Sequence, residues 1–164
     1  MDHLSNFFLL AVVLINFFCL GSARLGACIQ AIALQGALLA LLPLSEHGLS
    51  GHTLFLAVAA FSMKGGIIPW MLMRAIREVR IKREVEPVIG FVTTLILGAM
   101  TTAAAFIFAD HLPLLPEHQN TLFIPVALAT IGTGFLLLIT RRKAITQVLG
   151  YLALENGIFI FSIL

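Results

Sequence analysis

Two side chains in this sequence are ionisable where their surroundings are apolar. Lys64 stands 12 residues after His52 and 10 before Arg74, and Glu155 stands 12 after Lys143. At ~1.5 Å of rise per helical residue, each falls near the middle of an apolar segment. A charge at the centre of a membrane helix costs roughly 2.5–3.5 kcal/mol on insertion scales. A neutral residue would be cheaper, so the charges call for a use. Three chemistries fit: a structural ion pair between Lys64 and Glu155, two stations on a hydrated proton path shared with neighbouring subunits, or a site for a polar ligand. Intramembrane charges mark ion pathways more often than not, and the path reading is preferred. Tyr151 precedes Glu155 by one helical turn on the same face. Its phenol could hydrogen-bond the carboxylate or gate access to it.

The residues after the lysine strengthen the path reading. In Met63-Lys64-Gly65-Gly66-Ile67-Ile68-Pro69, Pro69 has no N–H, so the carbonyl of Gly65 loses its helical partner. With Gly65 and Gly66 on the same turn, a kinked or broken helix is expected beside the ammonium. Such breaks survive at membrane depth only where protein or a wet cavity covers them.

The elements that must hold these residues follow from composition. The chain has 164 residues, 60% hydrophobic and 11% charged, with a mean hydropathy of +1.04. Soluble domains carry about 25% charge. A disordered chain would be polar and poor in aromatics, whereas this one has 13 Phe. Two cysteines cannot make a disulfide scaffold. The expectation is an all-α polytopic membrane bundle forming one domain over 1–164, with spans at about 4–23, 26–44, 53–73, 87–109, 121–140 and 144–163. Each approaches the ~20 apolar residues a membrane helix needs. No run alternates with a period of two, which argues against strands. The first span is preceded by Asp2 with no basic n-region and reads as an uncleaved span rather than a signal peptide.

Charge predicts orientation. Arg24, then Arg74, Arg77, Arg80, Lys82 and Arg83, then Arg141, Arg142 and Lys143 occupy alternate connections. Asp2, Glu46, Asp110 and Glu117 and all five histidines lie on the other side. The positive-inside rule puts the basic connections in the cytoplasm and both termini outside it. The stretch Ile76–Glu86 mixes both signs and reads as a solvated helix end or as a docking surface for a cytoplasmic partner. A net charge of +2 gives no reason to expect nucleic acid.

The remaining polar residues point to packing. Asn16, Gln30, Gln35 and Gln147 are expected to join helices by hydrogen bonds. Gly90, Thr94, Gly98 and Thr102, and likewise Thr130 and Gly134, repeat every four residues and permit close helix approach. No phosphate-binding loop, dinucleotide glycine pattern or CxxC cluster is present. His47 with His52, and His111 with His118, could bind metal, but loop histidines of this kind rarely do, and no metal is expected. Cys19 and Cys28 fall near the reducing side, where a disulfide is not expected. No cofactor is expected in this chain.

From the fifth span through Arg141-Arg142-Lys143-Ala144-Ile145-Thr146-Gln147-Val148-Leu149-Gly150-Tyr151-Leu152-Ala153-Leu154-Glu155-Asn156-Gly157, the sequence resembles hydrogenase-4 component E. A basic turn followed by a span with a central Glu is also similar to the K subunit of complex I and the C subunit of multisubunit cation/proton antiporters. The third-span Lys-Gly-Gly-Ile-Ile-Pro looks like the longer hydrogenase subunit. The resemblance covers most of the chain, with Leu-Glu-Asn-Gly its most specific part. It implies a non-catalytic, multi-pass subunit of a bacterial inner-membrane oxidoreductase complex. Antiporter-like membrane subunits would lie beside it, and cytoplasmic redox subunits would carry Fe–S clusters and a NiFe centre. The residue matching Glu155 would belong to a chain of ionisable groups. These families usually continue through a further span, which in the K-type subunit carries a second acid; this sequence ends at Leu164. A secondary transporter with a cavity around the third span, or a structural spacer, are the other readings.

Overall fold

Long apolar runs with no competing polar pattern fold as helices, because in hydrocarbon every backbone N–H and C=O must be satisfied within its own segment. The computed structural model describes residues 2–47, 50–78, 88–113 and 121–163. Helices α1 (Asp2–Gly21), α2 (Leu25–His47), α3 (Gly51–Phe61), α4 (Ile68–Glu78), α5 (Phe91–Asp110), α6 (Phe123–Thr140) and α7 (Ala144–Phe161) follow one another. A π-helical turn, Ser62–Ile67, joins α3 to α4. Six of the resulting rods are long and apolar enough to cross a membrane, the third running unbroken over Gly51–Glu78. There are no strands among the described residues.

Local chemistry sets the ends. The Ser22 hydroxyl accepts from Arg24 N–H at 3.2 Å where α1 turns into α2. Ser50 caps α3 by accepting from Thr53 N–H at 3.1 Å, which satisfies one orphan donor of the first turn. Three boundaries differ from expectation by more than two residues. Helix α2 continues past 44 to His47, with Pro43 inside it. The third rod continues past 73 to Glu78, because Arg74 and Arg77 lie on its polar end. Arg74 donates to Glu78 one turn on, at 2.6 Å, and lies over Trp70. The fourth span starts at Phe91 rather than near Pro87. The basic connection at 79–87 and Pro116, Glu117 and His118 in the fourth connection lie outside the described residues.

Helices α6 and α7 pack tightest, and glycines explain why. A Cβ on Gly134 would lie 2.6 Å from Leu154 N, and one on Gly150 would lie 2.8 Å from Leu138 N. One on Gly157 would lie 2.7 Å from Ile131 N. Backbone therefore meets backbone, as small residues allow in membrane helix pairs. Gly98 on α5 leaves room for Leu20 of α1, and Thr94 and Gly98 are buried, as the four-residue repeat predicted. Gly90 faces open space. The third rod and α5 are peripheral, with most of their apolar side chains facing outward.

Two apolar clusters stack along the bundle. One surrounds Cys19, Leu20, Leu25, Cys28, Ile29, Leu137 and Leu149 at the basic end. The other surrounds Leu9, Val12, Leu39, Leu42, Val126 and Ile160 at the opposite end. Between them, in every helix concerned, lies a polar residue: Asn16, Gln35, Thr130 and Asn156, all buried.

Candidate functional site

The site is built on α7 and the π-helical turn. Consecutive residues on α7 step about 100° around the helix, so Glu155, Asn156 and Gly157 face three ways. Gly157 admits the α6 backbone. Asn156 points into the core at 3% exposure. Glu155 turns toward the third rod. There the π-helical turn holds Lys64, with Ile68 N–H reaching back five residues to Met63 O. The expected helix break is thus a widened turn in a continuous helix: Gly65, Gly66 and Pro69 distort the third rod without opening it. Opposite, α2 supplies Gly36, where a Cβ would lie 2.7 Å from the Lys64 Cβ. A side chain at 36 would push the lysine away.

Lys64 and Glu155 meet: Nζ lies 3.2 Å from Glu155 Oε1. Nζ also donates to Asn156 Oδ1 at 3.0 Å and sits 4.6 Å from the Phe159 ring centroid. An ammonium has three N–H donors and no acceptor. Two oxygens and an aromatic face meet it here. The lysine side chain is 12% exposed and that of Glu155 42%, so the carboxylate lies at the outer edge of the pair. A cavity of about 10 Å³ lies against Lys64, Pro69, Glu155 and Asn156, on the order of the space one water needs. Tyr151 is 60% exposed, and among the described residues no hydrogen bond links it to Glu155. The two residues share a helix face but are not joined.

Behind the lysine runs a relay that links five elements. Asn156 Nδ2 donates to Gln35 Oε1 at 3.3 Å, and Gln35 Nε2 donates to Asn16 Oδ1 at 3.0 Å. Asn16 Nδ2 donates to Thr130 Oγ1 at 2.9 Å, and Thr130 Oγ1 donates to Val126 O at 2.7 Å. The ammonium fixes the direction. Because Lys64 can only donate, Asn156 must present its carbonyl, and every later amide then has one permitted orientation. Aligned amides polarise one another, with each carbonyl facing the positive charge. The sequence showed Asn16 and Gln35 as separate candidates for helix joining and did not single out Asn156 for that role. Nothing in their spacing showed that they meet Lys64. Gln30 takes no part and lies exposed on α2.

A second polar centre, at the basic end, went unrecognised. Arg141 read as one of three loop charges, yet it is 2% exposed. Its Nη2 donates to Leu20 O at 2.8 Å and Cys19 O at 3.2 Å, placing positive charge on the C-terminal carbonyls of α1. Its guanidinium carbon lies 5.3 Å from the Phe91 ring centroid. Burial pulls its pKa below the ordinary guanidinium range, and the Cys28 and Cys19 thiols beside it act in the opposite sense.

The chain is 30% identical, over 137 residues, to the uncharacterized protein Rv0085 of Mycobacterium tuberculosis, a match that covers 82% of this chain. It spans 62% of the length of that relative. No family model matches the sequence, and no solved structure matches it.

Proposed function

We propose that this chain is a non-catalytic membrane subunit of a hydrogenase-4-like or complex-I-like energy-converting oxidoreductase in a bacterial cytoplasmic membrane. In this reading both termini lie outside the cytoplasm. Antiporter-like subunits lie alongside, and cytoplasmic redox subunits carry the Fe–S clusters and a NiFe centre. The contribution of this chain is ionic: Lys64 and Glu155 are stations in a line of ionisable groups, with Tyr151 on the approach.

One observation carries the reading. An ion pair lies halfway along two apolar helices, with its carboxylate 42% exposed on the outside of the bundle. A purely structural pair is best placed where packing covers both partners. A carboxylate left at the rim, beside room for one water, suits exchange with a neighbour. The relay behind Lys64 supports this by holding the lysine side chain in place while leaving the glutamate side open.

Purification of the native assembly from membranes tests the class. Co-purification of an Fe–S or NiFe redox subunit is the expected result. A chain recovered with antiporter subunits and no redox partner would favour a multisubunit cation/proton antiporter, and an isolated homodimer would overturn both.

A further inference from the structure

The two cysteines are buried, at 3% and 4% exposure, on adjacent helices joined by a short turn. Both line a cavity of about 10 Å³ together with Arg141 and Thr146. That is room for one water or one small ion. Arg141, which lines this cavity, has an unexplained feature of its own. While Arg141 Nη2 is engaged, Nη1 is buried without a hydrogen-bond partner among the described residues. An unpaired guanidinium N–H in a dry place is costly and calls for negative charge beside it.

We propose that Cys19, Cys28 and Arg141 form a binding site for one soft monovalent cation of the copper(I) type. Thiolate sulfur is a soft donor and selects such ions over the hard cations that prefer oxygen. Binding joins one ion to the two sulfurs and releases two protons: a cation and two thiols become a bis-thiolate complex of net charge −1 plus two H⁺. The guanidinium neutralises that complex, which accounts for a buried arginine with one nitrogen unused. Met73, a further soft sulfur, packs on the same apolar cluster. The site lies at the basic end, away from Lys64 and Glu155, and requires no partner subunit. A disulfide is the less suitable fate, since forming one from two thiols requires a two-electron oxidant that nothing in the site supplies.

The test uses the full chain in detergent, reduced and anaerobic, titrated with copper(I) against a chromogenic chelator, with silver(I) as a redox-inert probe. One equivalent per chain is expected, with two-sulfur coordination by X-ray absorption. Because two protons leave per ion, affinity should rise by up to about 100-fold per pH unit while both thiols are protonated. Cys19→Ala, Cys28→Ala and the double variant should lose binding, with helix content by circular dichroism unchanged. Wild-type protein that retains no copper(I), a double variant that retains as much as wild type, or a bound ion without sulfur ligands would overturn the assignment.

Discussion

Replacing Gln35 by Leu separates the relay from the rest of the bundle. Gln35 is fully buried. It accepts from Asn156 at 3.3 Å and donates to Asn16 at 3.0 Å. Leu has similar volume, so packing changes little, but two hydrogen bonds are lost. Side-chain hydrogen bonds between membrane helices average about 0.6 kcal/mol and reach about 1.7, giving about 1–3 kcal/mol for the pair. The upper half of that range applies, because Asn16 Oδ1 and Asn156 Nδ2 are left in a dry interior, where an unsatisfied group costs about 1–3 kcal/mol. Gln30→Leu is the control, on the same helix but exposed, and should change stability by less than about 0.5 kcal/mol. Reversible unfolding in mixed micelles measures both. A Gln35→Leu chain as stable as the Gln30→Leu chain would refute the relay, and a double-mutant cycle with Asn156→Leu should show strong coupling.

Other perturbations separate packing from ion handling. Gly150→Ala places a Cβ 2.8 Å from Leu138 N and 3.0 Å from Gly134 O. Neither backbone atom can yield, and overpacking of this kind costs about 1–3 kcal/mol, seen as lowered thermal stability. Gly36→Ala should shift the third rod away from α2 and weaken the Lys64–Glu155 contact, detectable as a longer distance between spin labels on α2 and α4. Tyr151→Phe should leave stability unchanged, since the phenol has no hydrogen-bond partner among the described residues, while slowing proton uptake if the hydroxyl serves the approach to Glu155.

The rods and the matched depth of Lys64 and Glu155 were legible in the sequence because hydropathy and charge report depth directly; their contact was not. Lys64 and Glu155 sit at matched depth, and depth is one-dimensional information. What joins them is not. Asn16, Gln35, Thr130 and Asn156 lie on four helices, and only the rotation of each helix decides whether their polar groups converge. The chain from Lys64 to Val126 O therefore emerges only in three dimensions. The Gly65-Gly66-Pro69 segment correctly marked a distortion, but the form was underdetermined: a π-helical turn absorbs a missing proline N–H without breaking the rod. The error over Arg141 has a different origin. A basic residue at a span end is normally solvated, and nothing local says that α1 ends on it, with Cys19 and Leu20 offering carbonyls. Gly36 too is silent in sequence, since its role lies in the space Lys64 occupies.

Proton translocation by the proposed complex in sealed membrane vesicles, compared between wild type and Glu155→Gln, bears most directly on the ion-handling claim. Gln keeps the volume and an acceptor for Lys64 but cannot take up or release a proton. With subunit content unchanged, proton uptake is predicted to fall to background. Uptake at the wild-type rate would contradict a role for the Lys64–Glu155 pair in ion transfer.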